Sequence, residues 1–173
     1  MSIHIIIDGY NFIRQSTTLS PLDQRDIMLG REALVDKLAA YRKIRPHRIT
    51  VVFDGRHSPV FSVHRNRKKG ISMCFSRRGE SADDVIKRMA HKEREKALIV
   101  SSDREVTDSA ASCGAATIGS RQFEDKIAMA AHLDSPISDA EDSSGWTPTT
   151  KKKGPSRKLS KRQRRNRMKI KKL

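Results

Sequence analysis

The sequence has only two cysteines, Cys74 and Cys113, far apart and with no C-x-x-C spacing. A disulfide scaffold is thereby excluded, and a thiolate zinc site would lack ligands. Long hydrophobic runs are also missing. The apolar stretch near the N-terminus reaches Asp8 within a few residues and has no basic segment before it. It is too short for a membrane span or a signal peptide, so the expectation is a reducing, cytoplasmic setting and no membrane partner. Neither G-x-G-x-x-G nor G-x-x-x-x-G-K-[ST] follows the first apolar run, which weakens the reading as a nucleotide-binding α/β enzyme. There is no internal repeat. Residues 151–173 hold 13 Lys or Arg and no Asp or Glu, out of a net charge of +16, so residues 1–150 carry only +3. High basicity is therefore a property of the tail, and it points to phosphate backbones or anionic surfaces rather than to a fold.

What is present reads as alternating strands and helices. Ile3–Ile7 is a short β-branched run ended by Asp8-Gly9, and Arg48–Phe53 is a second, ended by Asp54-Gly55. A helix is expected from about Leu22 to Tyr41, with Ile27, Leu34, Leu38 and Tyr41 on one face. Residues 56–70 read as a basic loop. Further strands are expected at Ile71–Phe75, Ala97–Val100 and Ala115–Ile118, with helices over 82–92, 104–113 and 121–131. This alternation predicts an α/β fold of three layers, a mostly parallel sheet of about five strands with helices on both faces. Three segments follow: a domain at 1–132, an acidic, Ser-rich linker at 133–150, and a disordered polybasic tail at 151–173.

The position of the acids is the informative feature. Asp8, Asp54 and Asp103 each fall at or just beyond the C-terminal end of an expected strand. In a parallel sheet those ends share one edge, where ligand crevices form. Each pair of like charges at about 4 Å costs roughly 4 kcal/mol at an effective dielectric near 20. A cation offsets that cost, and oxygen-only ligands suit Mg²⁺ or Mn²⁺. Each acid also has a plainer reading. Asp-Gly is a hairpin-turn signal, and Ser102 with Glu105 resembles a capping box that would make Asp103 part of a helix start. Asp83 and Asp84 both fall in a first helical turn after Ser81. The helical phase of Val85, Ile86, Met89 and Ala90 sets Asp83 on the flank of the buried face and Asp84 toward solvent. Glu80 stands within reach of the same crevice.

Four strings in order, Ile5-Ile6-Ile7-Asp8-Gly9-Tyr10-Asn11, Val51-Val52-Phe53-Asp54, Glu80-Ser81-Ala82-Asp83 and Ser101-Ser102-Asp103, resemble the YacP-like branch of the NYN nucleases, within the PIN-like fold. The resemblance runs from about Ile3 to Ala131. It implies a metal-dependent endoribonuclease, associated in this branch with ribosomes and messenger RNA. It also implies Asp8, Asp54, Asp83 and Asp103 as metal-site and catalytic acids, with Glu80 assisting and Asn11 beside the first acid. Arg31 matches a helix arginine of the branch, although a surface arginine is the simpler account. The basic tail departs from the compact pattern of the family.

Substrate contacts are expected from Tyr10, Asn11 and the basic loop, through Arg56, Arg65, Arg67, Lys68 and Lys69, with contacts to phosphates that position a strand. Tyr10 would stack on an unpaired base. His57 and His64 read as ordinary loop residues. In the tail, Lys161, Arg162, Arg164, Arg165 and Arg167 are candidates for RNA binding, ribosomal RNA included. The sequence-based expectation is thus a monomeric Mg²⁺- or Mn²⁺-dependent endoribonuclease acting on single-stranded or messenger RNA, with the ribosome as a candidate setting. The competing reading is a non-catalytic RNA- or ribosome-binding protein on a nuclease scaffold.

Overall fold

The apolar runs become the inner strands of one sheet. In the computed structural model, which describes residues 3–55, 65–133 and 160–173, the strands are β1 (His4–Asp8), β2 (Arg48–Phe53), β3 (Arg65–Lys68), β4 (Ile71–Phe75), β5 (Ala97–Val100) and β6 (Ala116–Ile118). Their order is β3-β4-β2-β1-β5-β6. Every neighbouring pair is parallel except β3 with β4. All five residues of β1 are buried, as a strand covered on both faces requires.

Helices α1 (Gly9–Gln15), α2 (Ser20–Arg25), α3 (Ile27–Ile44), α4 (Ala82–Glu93), α5 (Arg104–Ser112), α6 (Ser120–Leu133) and α7 (Lys161–Ile170) complete the fold. Strand alternation divides the core. Ile5, Ile7, Val51 and Leu98 face Phe12, Leu38, Tyr41 and Phe123 from α1, α3 and α6. Ile6, Val52 and Ile99 face Val85, Ile86 and Val106 from α4 and α5. The three-layer α/β architecture expected from the sequence is the one observed.

Four details differ. The sheet has six strands, because Arg65–Lys68, read as loop, pairs antiparallel with β4. The connection is a two-residue turn with positive φ at Lys69 (52°) and Gly70 (83°), a conformation that matches the twist of a hairpin. The expected single helix from Leu22 is two, broken at Asp26, whose carboxylate caps α3 by accepting from Met28 N–H at 2.8 Å. Gly9–Gln15, expected to be loop, is helical. The tail expected to be disordered contains α7. Its Asn166 side chain accepts from Thr117 N–H (3.1 Å) and donates to Thr117 C=O (3.3 Å) on the outer edge of β6. Leu173 beyond it is buried in the main core, and Tyr41 Oη donates to its carbonyl at 3.0 Å. The linker at 134–150 and tail residues 151–159 lie outside the described residues.

Candidate active site

Beyond the C-terminal ends of the strands lies a cleft of about 390 Å³, lined by Asp8, Asp54, Asp83 and Asp103 together with Tyr10, Asn11, Arg14, Gln15, Ser81 and Ala82. It sits where the chain order reverses, with β2 on one side of β1 and β5 on the other. That switch point is where open α/β sheets hold their ligands.

Three of the acids stand at helix N-termini, where the free N–H groups and the helix dipole favour negative charge. Asp8 caps α1, its Oδ1 accepting from Asn11 N–H at 3.2 Å. Asp103 caps α5 through one oxygen, accepting from Glu105 N–H (2.7 Å) and Val106 N–H (3.3 Å). The expected Ser102–Glu105 box is therefore replaced by Asp103 itself. Asp83 lies in the first turn of α4. Asp84, read as solvent-facing, is exposed and completes a capping box with Ser81. Asp54 follows β2 directly. Next to it, Gly55 passes so close to Ser76 that a Cβ would lie 1.9 Å from its carbonyl oxygen. Close approach, rather than a hairpin turn, explains this second Asp-Gly.

Electrostatics distinguish the acids. Burial pushes the Asp8 carboxyl up to about 6; the Asn11 N–H opposes this, and the nearby Asp83 carboxylate adds to it. Asp83 is raised as well, by burial first and by Asp103 second. Ser101, a residue the sequence reading passed over, links two of them. Its buried Oγ donates to Asp8 Oδ2 at 3.3 Å and accepts from Asp103 N–H at 3.1 Å. Arg14, also missed, is the cation among the cleft's lining residues. Its place in the last turn of α1 depends on a helix the sequence did not announce. Asn11 fastens three elements, its Oδ1 accepting from Ser102 N–H (3.0 Å) and Ser120 Oγ–H (2.8 Å).

Other expected site residues stand elsewhere. Glu80 does not line the cleft; its carboxylate pairs with Arg88, which holds it below the usual carboxylate range. Tyr10 reaches the cleft but is 8% exposed, packed edge-on to Phe53 and bonded to Arg31 Nε at 2.9 Å, so little of its ring is open to a base. Arg31 is not a surface residue. It is buried, with its guanidinium 5.2–5.4 Å from the ring centres of Tyr10, Phe53 and Phe75. Lys68 and Lys69 pair with Glu32 and Asp36 of α3, and Lys68 sits opposite Ile71, at the far end of the sheet from the acids. Arg65 and Arg67 are on β3 and do not line the cleft. Arg56, His57 and His64 lie outside the described residues, as do the side chains of Lys161 and Arg162. Arg164, Arg165 and Arg167 are exposed on α7, with Arg165 paired to Glu95.

Among the described residues, no three acids stand close enough to hold one metal ion between them. That argues against an ion fully wrapped by protein, such as Ca²⁺. A cleft whose acidic donors are all carboxylate oxygens fits a hydrated Mg²⁺ or Mn²⁺, which takes one or two carboxylates and keeps its waters. No helix among the described residues is long and apolar enough to cross a membrane.

Comparison with known proteins agrees with this fold. The profile of the YacP-like NYN domain matches residues 5–172, so the match includes α7 as well as the sheet. The uncharacterized protein YacP of Bacillus subtilis (strain 168) is 28% identical over 86 residues, and the chain spans half the length of that relative. Crystal structures of Rae1 (YacP) from Bacillus subtilis superpose at TM-score 0.62, and at 0.64 for a point mutant. Both are 22% identical and cover about three quarters of each chain, which shows a shared fold. The chain belongs to the YacP-like NYN domain family.

Proposed function

We propose that this chain is a metal-dependent endoribonuclease that cuts single-stranded or messenger RNA, with the ribosome as a candidate setting. Family membership makes it a nuclease-family protein with an RNA-related role. The observation that carries the finer reading is the convergence of Asp8, Asp54, Asp83 and Asp103 on one cleft at the switch point of the sheet.

One or two of the cleft acids Asp8, Asp54, Asp83 and Asp103 would ligate a hydrated Mg²⁺ or Mn²⁺ directly, and the others would face its water shell. A divalent ion bound there supplies water activation and stabilises charge on a phosphodiester. The chain's own residues prepare for this. Ser101 holds Asp8 and the Asp103 backbone in a fixed relation, Asn11 locks the corner between β1 and the loop after β5, and Arg14 offers a cation to an incoming phosphate.

The test is cleavage of a mixed single-stranded RNA pool by wild type and Asp8→Asn, each with Mg²⁺, with Mn²⁺ and with EDTA. Discrete cuts are expected from wild type with metal only. Equal cutting by purified Asp8→Asn would remove the proposal. Salt-sensitive binding without cutting under either metal would favour the non-catalytic alternative, in which the acids remain on the scaffold without turnover.

A further inference from the structure

The arginines of β3 point to a second site, on the other side of the sheet and at its opposite end. Strand alternation sets Arg65 opposite Cys74 and Arg67 opposite Ser72, and Cys74 belongs to the core on the α4 face. Under α4 that face is apolar, with Ile6, Val52 and Ile99. Toward the starts of β1, β2 and β4 it turns polar, through His4, Thr50 and Ser72. A pocket of about 290 Å³ opens over this polar floor, walled by Arg48, Arg65, Arg67 and Lys92, with Glu93 as its single carboxylate.

Glu93 is already engaged, with His4 Nδ1 at 3.3 Å and Arg48 at 3.8 Å. His4 is buried, and its Nε2 is in hydrogen-bond contact with Thr50 Oγ1 at 2.8 Å. Burial, and then Arg48, lower its pKa, so the pocket's positive charge comes from the four cations, offset in part by Glu93. Lys92 and Arg67 are exposed and enter no ion pair among the described residues. An adjoining hollow shares Arg48, Arg67 and Ser72 and adds Arg42 and His47. The basic surface is therefore longer than one small anion.

We propose that this pocket is a phosphate-binding site that seats one nucleotide unit of an RNA chain, away from the acidic cleft. Charged residues on an edge strand also serve to block edge-to-edge pairing. That role alone does not require a polar floor, nor a converging cation from α4 on the neighbouring wall. The site rests on residues separate from the cleft, so it stands or falls independently of cleavage.

The test is NMR titration of the full chain, in EDTA, with AMP, adenosine and the dinucleoside phosphate ApA. AMP and ApA are expected to shift the backbone amides of Thr50, Ser72 and Met73, and adenosine is not. ApA binding marks an internal phosphodiester as the ligand, and AMP alone marks a free nucleotide. Arg67→Ala with Lys92→Ala should weaken the binding at least tenfold, whereas the charge-matched pair Arg25→Ala with Lys43→Ala should leave it unchanged. All four positions are exposed, so folding is not at risk. Equal binding of adenosine, an unchanged affinity in the first pair, or equal losses in both pairs would overturn the proposal.

Discussion

A buried carboxyl that keeps its proton to about pH 6 is a cost to the fold. The unfolded chain releases that proton near 3.8, so the unfolded state gains on the folded one as pH rises from about 4 to about 6. Above that window the loss is complete and constant, at most about 3 kcal/mol. Asp8→Asn keeps an oxygen to accept from Asn11 N–H and turns its amide NH₂ toward Ser101 Oγ, which can accept from it, and it cannot ionise. In chelator it should therefore melt several degrees above wild type at about pH 7.5 and close to wild type at about pH 4, while losing cleavage. An advantage of equal size at both pH values would mean that ionisation of Asp8 is not its source. The neighbouring acids of α4 should separate in the opposite way. Asp84→Ala breaks the Ser81 capping box and should cost about 1 kcal/mol of stability with little change in turnover. Asp83→Asn leaves that box intact and should remove most of the activity, as thermal melts and cleavage rates on the same samples would reveal.

At the scale of elements, α7 changes what removal of the tail should do. Its Asn166 occupies the outer edge of β6, and Leu173 and Ile170 reach the main core. Truncation at about Thr150 should lower the melting temperature as well as weaken RNA binding. Asn166→Ala, which alters no charge, should cost about 1 kcal/mol through the two lost edge hydrogen bonds. A truncated chain that melts like the full one would show that α7 contributes nothing to the fold. The elements also differ in how far the sequence announced them. β1, β2, β4 and β5 are legible because buried strands are short apolar runs; β1 ends on a cleft acid, Asp8, and β2 and β5 are followed within three residues by Asp54 and Asp103. β3, with the sequence Arg-Asn-Arg-Lys, has no apolar alternation; its pairing is fixed by the Lys69-Gly70 turn. α1 stayed hidden because its start signal is Asp8, a residue whose carboxylate also suggests a ligand. α7 looks disordered by composition, and its order comes from Asn166, Ile170 and Leu173 meeting distant partners. Arg31 was misjudged for the same reason, since its cage is assembled from α1, β2 and β4.

For the whole molecule, an acidic cleft at one end of the sheet is set against cations on two other surfaces, the exposed side of α7 and the pocket beside β3. Under the proposed function, a strand of RNA has little electrostatic reason to approach the acids unaided, and the basic surfaces would hold it at a distance the cleft alone could not. The salt dependence of binding reports how many phosphates those surfaces engage, because each contact with a single strand adds roughly 0.7 to the slope of log K against log salt. Asp8→Asn protein removes cleavage from that measurement, so affinity for a long unstructured RNA can be followed between about 50 and 200 mM salt. Arg167→Gln with Lys171→Gln on the exposed side of α7, and Arg67→Ala with Lys92→Ala beside β3, should each flatten the slope. Because the two surfaces are separated by the sheet, their losses should add when the four substitutions are combined. A short RNA that fills only the β3 pocket should respond to the second pair and ignore the first. Should both pairs change the affinity without changing the slope, the cations would be acting on the fold rather than on phosphates, and the division of the molecule into a cutting edge and two holding surfaces would fail.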